Sequence, residues 1–411
     1  MSAAAERRRH DFPSARPTER REAAVLDDEI RAFIARSAHT WSAEPEALDR
    51  LLLQVFAHQM RWNPAYARFA GRRGADRIGK ASEIPAVPAR AFTRVRMATF
   101  PPVAAVRRFR SSGTTGGPRA VLELDAGQLA LYDTALLPPF ARFLLPDRRD
   151  LAWVSLLPDP ADAPWSSLAA MIGSAAHQLG SNVEHCGLAA GGLDVARTRA
   201  VLEAHAARAT PVLLLGTALA LDRLVSALAA EGAALVLPPG SRVMETGGFK
   251  GQRRDVERPE LMAAITSRLG VPAVAVIGEY GMTEMTSQFY DPSFRAAVLA
   301  PPVASHEATG HRDDHEPRCM VGPPWVRTRV VDPLTLAEVP PGEEGLLLHL
   351  DPAARSSTVA LLTEDRGRMH AGGFELLGRM PGAEARGCSL ALDELLQAAA
   401  NDGNAAPGDA P

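Results

Sequence analysis

Ser111-Ser112-Gly113-Thr114-Thr115-Gly116-Gly117-Pro118-Arg119 decides how the rest of this chain reads. Glycines let successive backbone N–H groups converge on one anion, and the serine and threonine hydroxyls add further donors. Arg119 closes the run with a cation where phosphate charge would need neutralising. The spacing is not that of a Walker A loop, because G-x-x-x-x-G-K-[ST] is absent. A free Ser/Gly linker would have the same composition. This run lies between two apolar stretches, so it is expected to be an ordered loop that cradles a polyphosphate.

Outward from that loop, apolar runs alternate with amphipathic ones. A strand and then a helix are expected over residues 121–146. Further strands are expected over Leu151–Leu157, Pro211–Leu215, Ala234–Leu237 and Ala273–Ile277, and helices over Ser166–Leu179, Leu219–Glu231 and Val256–Leu269. This alternation predicts an α/β core with a parallel sheet covered by helices. Two amphipathic helices are expected between Ala24 and Met60. After Pro323 the runs become short and are separated by Gly, Pro and Asp, which predicts a small β-rich subdomain. The expected organisation is a disordered tail over 1–25, an α/β core over 26–322 with 291–322 as an inserted loop, the β-rich subdomain over 323–398, and a flexible tail over 399–411.

Composition excludes several classes. The chain has 411 residues, 46% of them hydrophobic, enough for a large core. A net charge of −3 gives no reason to expect nucleic acid or an anionic membrane as partner. No apolar run approaches the ~20 residues that span a bilayer, and the Arg-rich N-terminus lacks a signal-peptide core. A cytoplasmic protein is the expectation. Three scattered cysteines, Cys186, Cys319 and Cys388, make no disulfide framework. His185 and Cys186 are neighbours, and neighbours on a strand point to opposite faces, so they are not expected to form a dyad. His306, His311, His315 and Cys319 are metal-capable types at spacings of five, four and four. No tight C-x-x-C pair anchors them, and a solvated loop is the expected reading.

Lysine use is sharper. Among 45 basic residues only Lys80 and Lys250 are lysines. A compact ammonium kept in an arginine-using chain marks a place where a planar guanidinium does not serve. Lys250 sits beside a second glycine turn, Thr246-Gly247-Gly248. It is therefore the candidate catalytic cation.

A third motif, Gly278-Glu279-Tyr280-Gly281-Met282-Thr283-Glu284, follows the last expected strand of the core. Open α/β sheets bind ligands at the carboxyl ends of their strands. The Tyr280 ring would stack on a nucleobase and the Glu284 carboxylate would hold Mg²⁺.

Together these motifs resemble the adenylate-forming superfamily. The loop at 111–119 is similar to its phosphate loop, and Tyr280 to Glu284 to its adenine and magnesium motif. Asp365 in Thr363-Glu364-Asp365 stands where the superfamily holds the ribose hydroxyls, and Gly378-Arg379 resembles its later Gly-Arg element. The stretches 243–251, 279–288, Pro323-Pro324-Trp325, 377–379 and 385–390 narrow the resemblance to the acyl-protein synthetase (LuxE-like) family. That family activates fatty acids for a bacterial fatty acid reductase.

The resemblance implies attack of a carboxylate on ATP to give acyl-AMP, then transfer of the acyl group to a protein thiol. It places Ser111, Ser112, Gly113, Thr114, Thr115 and Gly116 on the phosphates, and Tyr280, Gly247, Gly248, Gly281 and Thr283 around the nucleotide. Asp365 and Arg379 fall at the ribose, Glu284 on Mg²⁺, and Cys388 as the acyl carrier. It also implies a fatty acid substrate and an acyl-accepting reductase partner. Two departures stand out. The loop ends in Arg119 where the family has lysine, and the chain stops soon after Cys388, so the superfamily's mobile C-terminal domain is expected to be absent. A coenzyme A ligase of the phenylacetate type, or a silent nucleotide-binding scaffold, are the alternative readings.

Overall fold

The computed structural model describes residues 17–75, 78–111, 118–189, 192–247, 258–300, 318–380 and 396. The chain opens with α1 (Pro17–Thr40), α2 (Pro45–Trp62) and α3 (Pro64–Arg72). Each begins with proline, whose fixed φ and missing N–H suit a first helical position. In α1 the residues Leu26, Ile30, Phe33, Ile34 and Ser37 are buried, a spacing that places them on one helical face. The helix starts well inside the segment expected to be a disordered tail. Its first turns are charged because they lie on solvent, not because they lack structure.

A short strand β1 (Val87–Pro88) precedes a hairpin of β2 (Arg107–Arg110) and β3 (Val121–Leu124). Of the Ser-Gly-Thr run, Ser111, Pro118 and Arg119 are described, between these two paired strands. Helix α4 (Ala126–Leu144) follows, N-capped by Asp125, whose carboxylate accepts from the Gln128 amide at 2.7 Å.

The parallel unit comprises β4 (Ala152–Ser155), α5 (Ser167–Leu179), β5 (Val183–His185), α6 (Val195–Ala207), β6 (Val212–Thr217), α7 (Ala218–Ala230), β7 (Arg242–Thr246), α8 (Arg258–Leu269), β8 (Val276–Tyr280), β9 (Phe289–Tyr290) and α9 (Ser293–Leu299). Its sheet has the order β5-β4-β6-β7-β8-β9, parallel except for the last pair. Residues 212–216 of β6 and all of β7 and β8 are buried, as strands covered by helices must be.

One expected strand is not formed. The amides of Leu235 and Leu237 donate to the carbonyls of Arg268 and Leu269, at 2.7 and 2.9 Å. The segment 234–237 is thus tied to the end of α8 and not to the sheet. β7 takes the sheet position instead, and β5 and α6 are additional elements. Within the segment expected to be an inserted loop, α9 and a short strand β10 (Cys319–Met320) are formed, and 301–317 lie outside the described residues.

The second sheet is antiparallel, β10-β14-β13-β12-β11, from β11 (Arg327–Val331), β12 (Glu344–Leu350), β13 (Ala360–His370) and β14 (Gly373–Arg379). It recruits β10 from before residue 323, and β1 pairs in parallel with β13. The buried segment 351–358 locks this sheet to the helices. Gln59, Asn63 and Gln128 side chains donate to the carbonyls of Ala354, Ser357 and Ala353. Arg355, 1% exposed, pairs with Asp27 of α1 and with the capping Asp125, each at 2.8 Å.

Candidate active site

A cleft of about 740 Å³ opens where the β2–β3 pair, the carboxyl ends of β7 and β8, and the antiparallel sheet meet. Each wall has a local cause. At the hairpin, the Ser111 amide donates to the Ala120 carbonyl and the Ala120 amide donates to Ser111 Oγ, both at 3.0 Å. These bonds extend the β2–β3 pairing by one residue on each side, and Ser111, Pro118 and Arg119 face the cleft. Beside them the Arg110 guanidinium lies over the Trp165 ring, 4.0 Å from its centroid.

β7 ends at Thr246, and Gly247 then turns the chain at φ +75°, a conformation that favours glycine. Thr246 and Glu279 are register partners on β7 and β8. Thr246 Oγ1 donates to the Glu279 carboxylate, and both residues line the cleft. Burial pushes the Glu279 carboxyl up to about 7; the Thr246 bond opposes this and nearby Glu245 adds to it.

Gly281, Met282, Thr283 and Glu284 continue along the wall. The loop they belong to is anchored from behind. Asp351 Oδ2 accepts from the Ser287 amide at 3.0 Å, and Trp325 Nε1 donates to Ser287 Oγ at 3.0 Å. Burial raises the Asp351 carboxyl to about 6.

Across the cleft stand Glu364, ion-paired with Arg90, and Arg379. Asp365 is directly opposite Arg379 in the β13–β14 register, and Arg379 Nε donates to its Oδ1 at 3.3 Å. The Tyr280 hydroxyl donates to Asp365 Oδ2 at 3.0 Å.

The structure thus brings Ser111, Arg119, Gly247, Gly281, Thr283, Glu284 and Arg379 to one cleft, with Tyr280 and Asp365 bonded to each other behind it. Tyr280 differs in placement from its expected role. Residues 279 and 281 line the cleft, whereas the Tyr280 ring packs with Phe289, His349 and Phe374 at centroid distances of 5.6–5.8 Å. The reason is the strand. Gly278, Glu279 and Tyr280 belong to β8 and do not follow it, so neighbouring side chains alternate between faces. That alternation turns Glu279 to the ligand side. Glu279 was therefore the residue to single out, and its register partner Thr246 shows only once the strands are paired. Arg90 and the Arg110–Trp165 pair carry no motif in sequence, and Glu364 drew no role of its own beside Asp365.

Lys250, Cys388, Ser112, Gly113, Thr114, Thr115, Gly116 and Gly248 lie outside the described residues, as do His306, His311 and His315. Cys186 is buried, and burial raises its thiol pKa. Among the described residues, no three His, Cys, Asp or Glu side chains cluster as a metal site, and no helix is long and apolar enough to cross a membrane. The Glu284 carboxylate and Thr283 hydroxyl are oxygen donors on the cleft wall, the chemistry that a hard cation such as Mg²⁺ takes.

Residues 309–397 match the family described as acyl-protein synthetase, LuxE. A Vibrio harveyi protein named long-chain-fatty-acid–luciferin-component ligase is 34% identical over 89 residues, which are 20% of this chain and 24% of that protein. The match thus spans about a quarter of the curated relative's length. Two solved structures of a 2-hydroxyisobutyryl-CoA ligase share the fold. One, an open conformation in complex with 2-HIB-AMP and CoA, has a TM-score of 0.58 at 14% identity, covering 82% of this chain and 74% of the other. The second, in a postadenylation state with 2-HIB-AMP, has a TM-score of 0.59 at 14% identity, covering 82% and 68%. Residues 309–397 thus resemble the acyl-protein synthetase (LuxE) family, and the chain shares its fold with a 2-hydroxyisobutyryl-CoA ligase.

Proposed function

We propose that this protein is an ATP-dependent ligase that activates a carboxylic acid as its adenylate. The observation that carries the reading is convergence. The flanks of a Ser/Gly/Thr loop, the ends of two parallel strands and Arg379 of the antiparallel sheet all face one cleft. A phosphate-binding loop opposite a carboxylate–guanidinium pair suits a nucleotide, with phosphates at 111–119 and ribose near Asp365 and Arg379.

A carboxylate is a poor electrophile, and adenylation remedies that. Its oxygen attacks the α-phosphorus of ATP, the bond to the β-phosphate oxygen breaks, and pyrophosphate leaves with the electron pair. Catalysis here is positioning plus neutralisation of charge on the phosphates. Arg119 and the loop's N–H and hydroxyl groups (Ser111, Ser112, Gly113, Thr114, Thr115 and Gly116) supply this, with Lys250 as the added cation. Gly247, Gly248, Gly281 and Thr283 leave room for the nucleotide. Glu284 would hold Mg²⁺, which screens the phosphate charge when bound.

For the second step we propose a protein thiol as acceptor. The Cys388 thiolate attacks the acyl carbon and AMP departs, leaving a thioester. A fatty acid substrate and transfer onward to a reductase are part of this proposal, and the resemblance over 309–397 supports them. The fold shared with a CoA ligase favours a second reading, in which coenzyme A is the acceptor. ATP–pyrophosphate exchange over a panel of acids tests the first step. Product analysis with and without coenzyme A separates the two acceptors.

A further inference from the structure

One acceptor on the cleft wall is short of a donor, and a carboxylate with a single donor stands beside it. Glu279 is 6% exposed and Gln288 5% exposed, and both line the cleft. Gln288 Oε1 is buried with no hydrogen-bond partner among the described residues, while its Nε2 donates to the Thr286 carbonyl at 2.9 Å. Thr246 Oγ1 donates to Glu279 Oε2, and the carboxylate's other oxygen, Oε1, lies toward Gly281. Gly281 lies between the two. A Cβ at that position would sit 2.7 Å from Glu279 Oε1 and 3.7 Å from Gln288 Cγ.

Among the described residues the groups that perturb Glu279 are burial, the Thr246 hydroxyl and Glu245, with no cation. A buried acceptor left unmatched costs its full desolvation, and more so if charged. An alkyl chain laid against this wall would leave the Gln288 oxygen in that state. A ligand bearing N–H or O–H would satisfy it and give the Glu279 carboxylate a second donor.

We infer that the acid activated in this cleft carries a hydrogen-bond donor, a hydroxyl or an ammonium group, held by Glu279 and Gln288. This rests on the adenylation reading above and narrows its substrate class from simple fatty acids to hydroxy or amino acids. The nucleotide's own amine is the competing donor, and the test separates it.

The experiment is ATP–pyrophosphate exchange by the full chain. It compares straight-chain acids of one length with analogues bearing a hydroxyl or an amine at each carbon. Sites built to hydrogen-bond a substrate donor reject analogues lacking it steeply. The expected result is a preference of about 100-fold or more in kcat/KM for one donor-bearing series. Glu279→Gln should erase most of it while the KM for ATP stays unchanged. Gln288→Leu is the second variant, should Glu279→Gln fold poorly, and it should weaken the same preference. Hydroxy analogues favoured over amino ones assign a hydroxyl, and the reverse an ammonium.

Exchange with plain alkyl acids equal to or better than the substituted ones would overturn the inference and leave adenylation standing. A rise in ATP KM for every acid alike in Glu279→Gln would also overturn it, assigning the pair to the nucleotide. Failure of adenylation itself reads differently, as no exchange with any acid by the wild type, and would overturn both.

Discussion

The Tyr280 hydroxyl donates to Asp365 Oδ2 at 3.0 Å and so ties the last parallel strand of the core, β8, to β13 of the antiparallel sheet. The bond fixes the carboxylate whose other oxygen accepts from Arg379. Burial and the Asp365 charge together raise the Tyr280 phenol far above its ordinary pKa, so it stays a donor. Tyr280→Phe keeps the ring among Phe289, His349 and Phe374 and removes only the bond. It should lower stability by about 2 kcal/mol, the range for hydrogen bonds to charged groups. It should also raise the KM for ATP. Thermal melts and exchange kinetics on one preparation check both.

Asp365→Asn keeps the size of the side chain and removes its charge. With ATP bound as proposed, Arg379 faces the ribose and Asp365, behind it, holds Arg379 in place. The KM for ATP should rise about tenfold or more, since a charged hydrogen bond contributes about 1.5–3 kcal/mol. The KM for the acid should change little. Titrating each substrate separately checks this.

Glu279 predicts a pH dependence of stability. Its carboxyl is raised to about 7 in the folded protein against an ordinary 4.5. Folding therefore favours its protonated form. The stability that its proton contributes is full below pH 4.5 and is lost as pH rises through 7. The span corresponds to a cost on the order of 3 kcal/mol above pH 7. Glu279→Gln cannot ionise and escapes that cost. Its melting temperature should exceed the wild type's at about pH 8 and match it near pH 4. Asp351 and Asp27, also raised by burial, titrate in both proteins, so the difference between the two curves isolates Glu279.

Arg355 holds two carboxylates from different helical segments in a dry junction. Arg355→Ala strands Asp27 and Asp125 without their cation. Breaking a buried pair in this way costs about 3–5 kcal/mol. Denaturant unfolding should show the loss, with catalytic constants of the surviving folded fraction near those of the wild type.

How far the sequence went can be traced residue by residue. The runs that became β3, β4, β6 and β8 were legible because covered strands are continuously apolar. Ala234–Leu237 is apolar too, but its amides found helix carbonyls at Arg268 and Leu269, a tertiary choice that no local pattern encodes. Val183–His185, which forms β5, has only three residues and one apolar side chain, too little to register as a period. In the site, Ser111, Arg119, Gly247, Thr283, Glu284 and Arg379 were visible as motif members. Arg90 and Glu364 meet across hundreds of positions, and nothing local marks such a pair.

The thioester step has its own check. Labelled acyl groups should persist on the wild-type chain through denaturing electrophoresis, and Cys388→Ser should lose them. Cys186→Ala should keep them, because Cys186 is buried and its thiol is pushed up by that burial.

The central claim is that this cleft adenylates a carboxylic acid, and ATP–pyrophosphate exchange across a panel of acids measures it most directly. The expected result is exchange that requires an acid and that falls steeply in Arg379→Ala. Exchange absent with every acid, from a folded protein that still binds ATP, would contradict the claim and leave a nucleotide-binding protein without that chemistry.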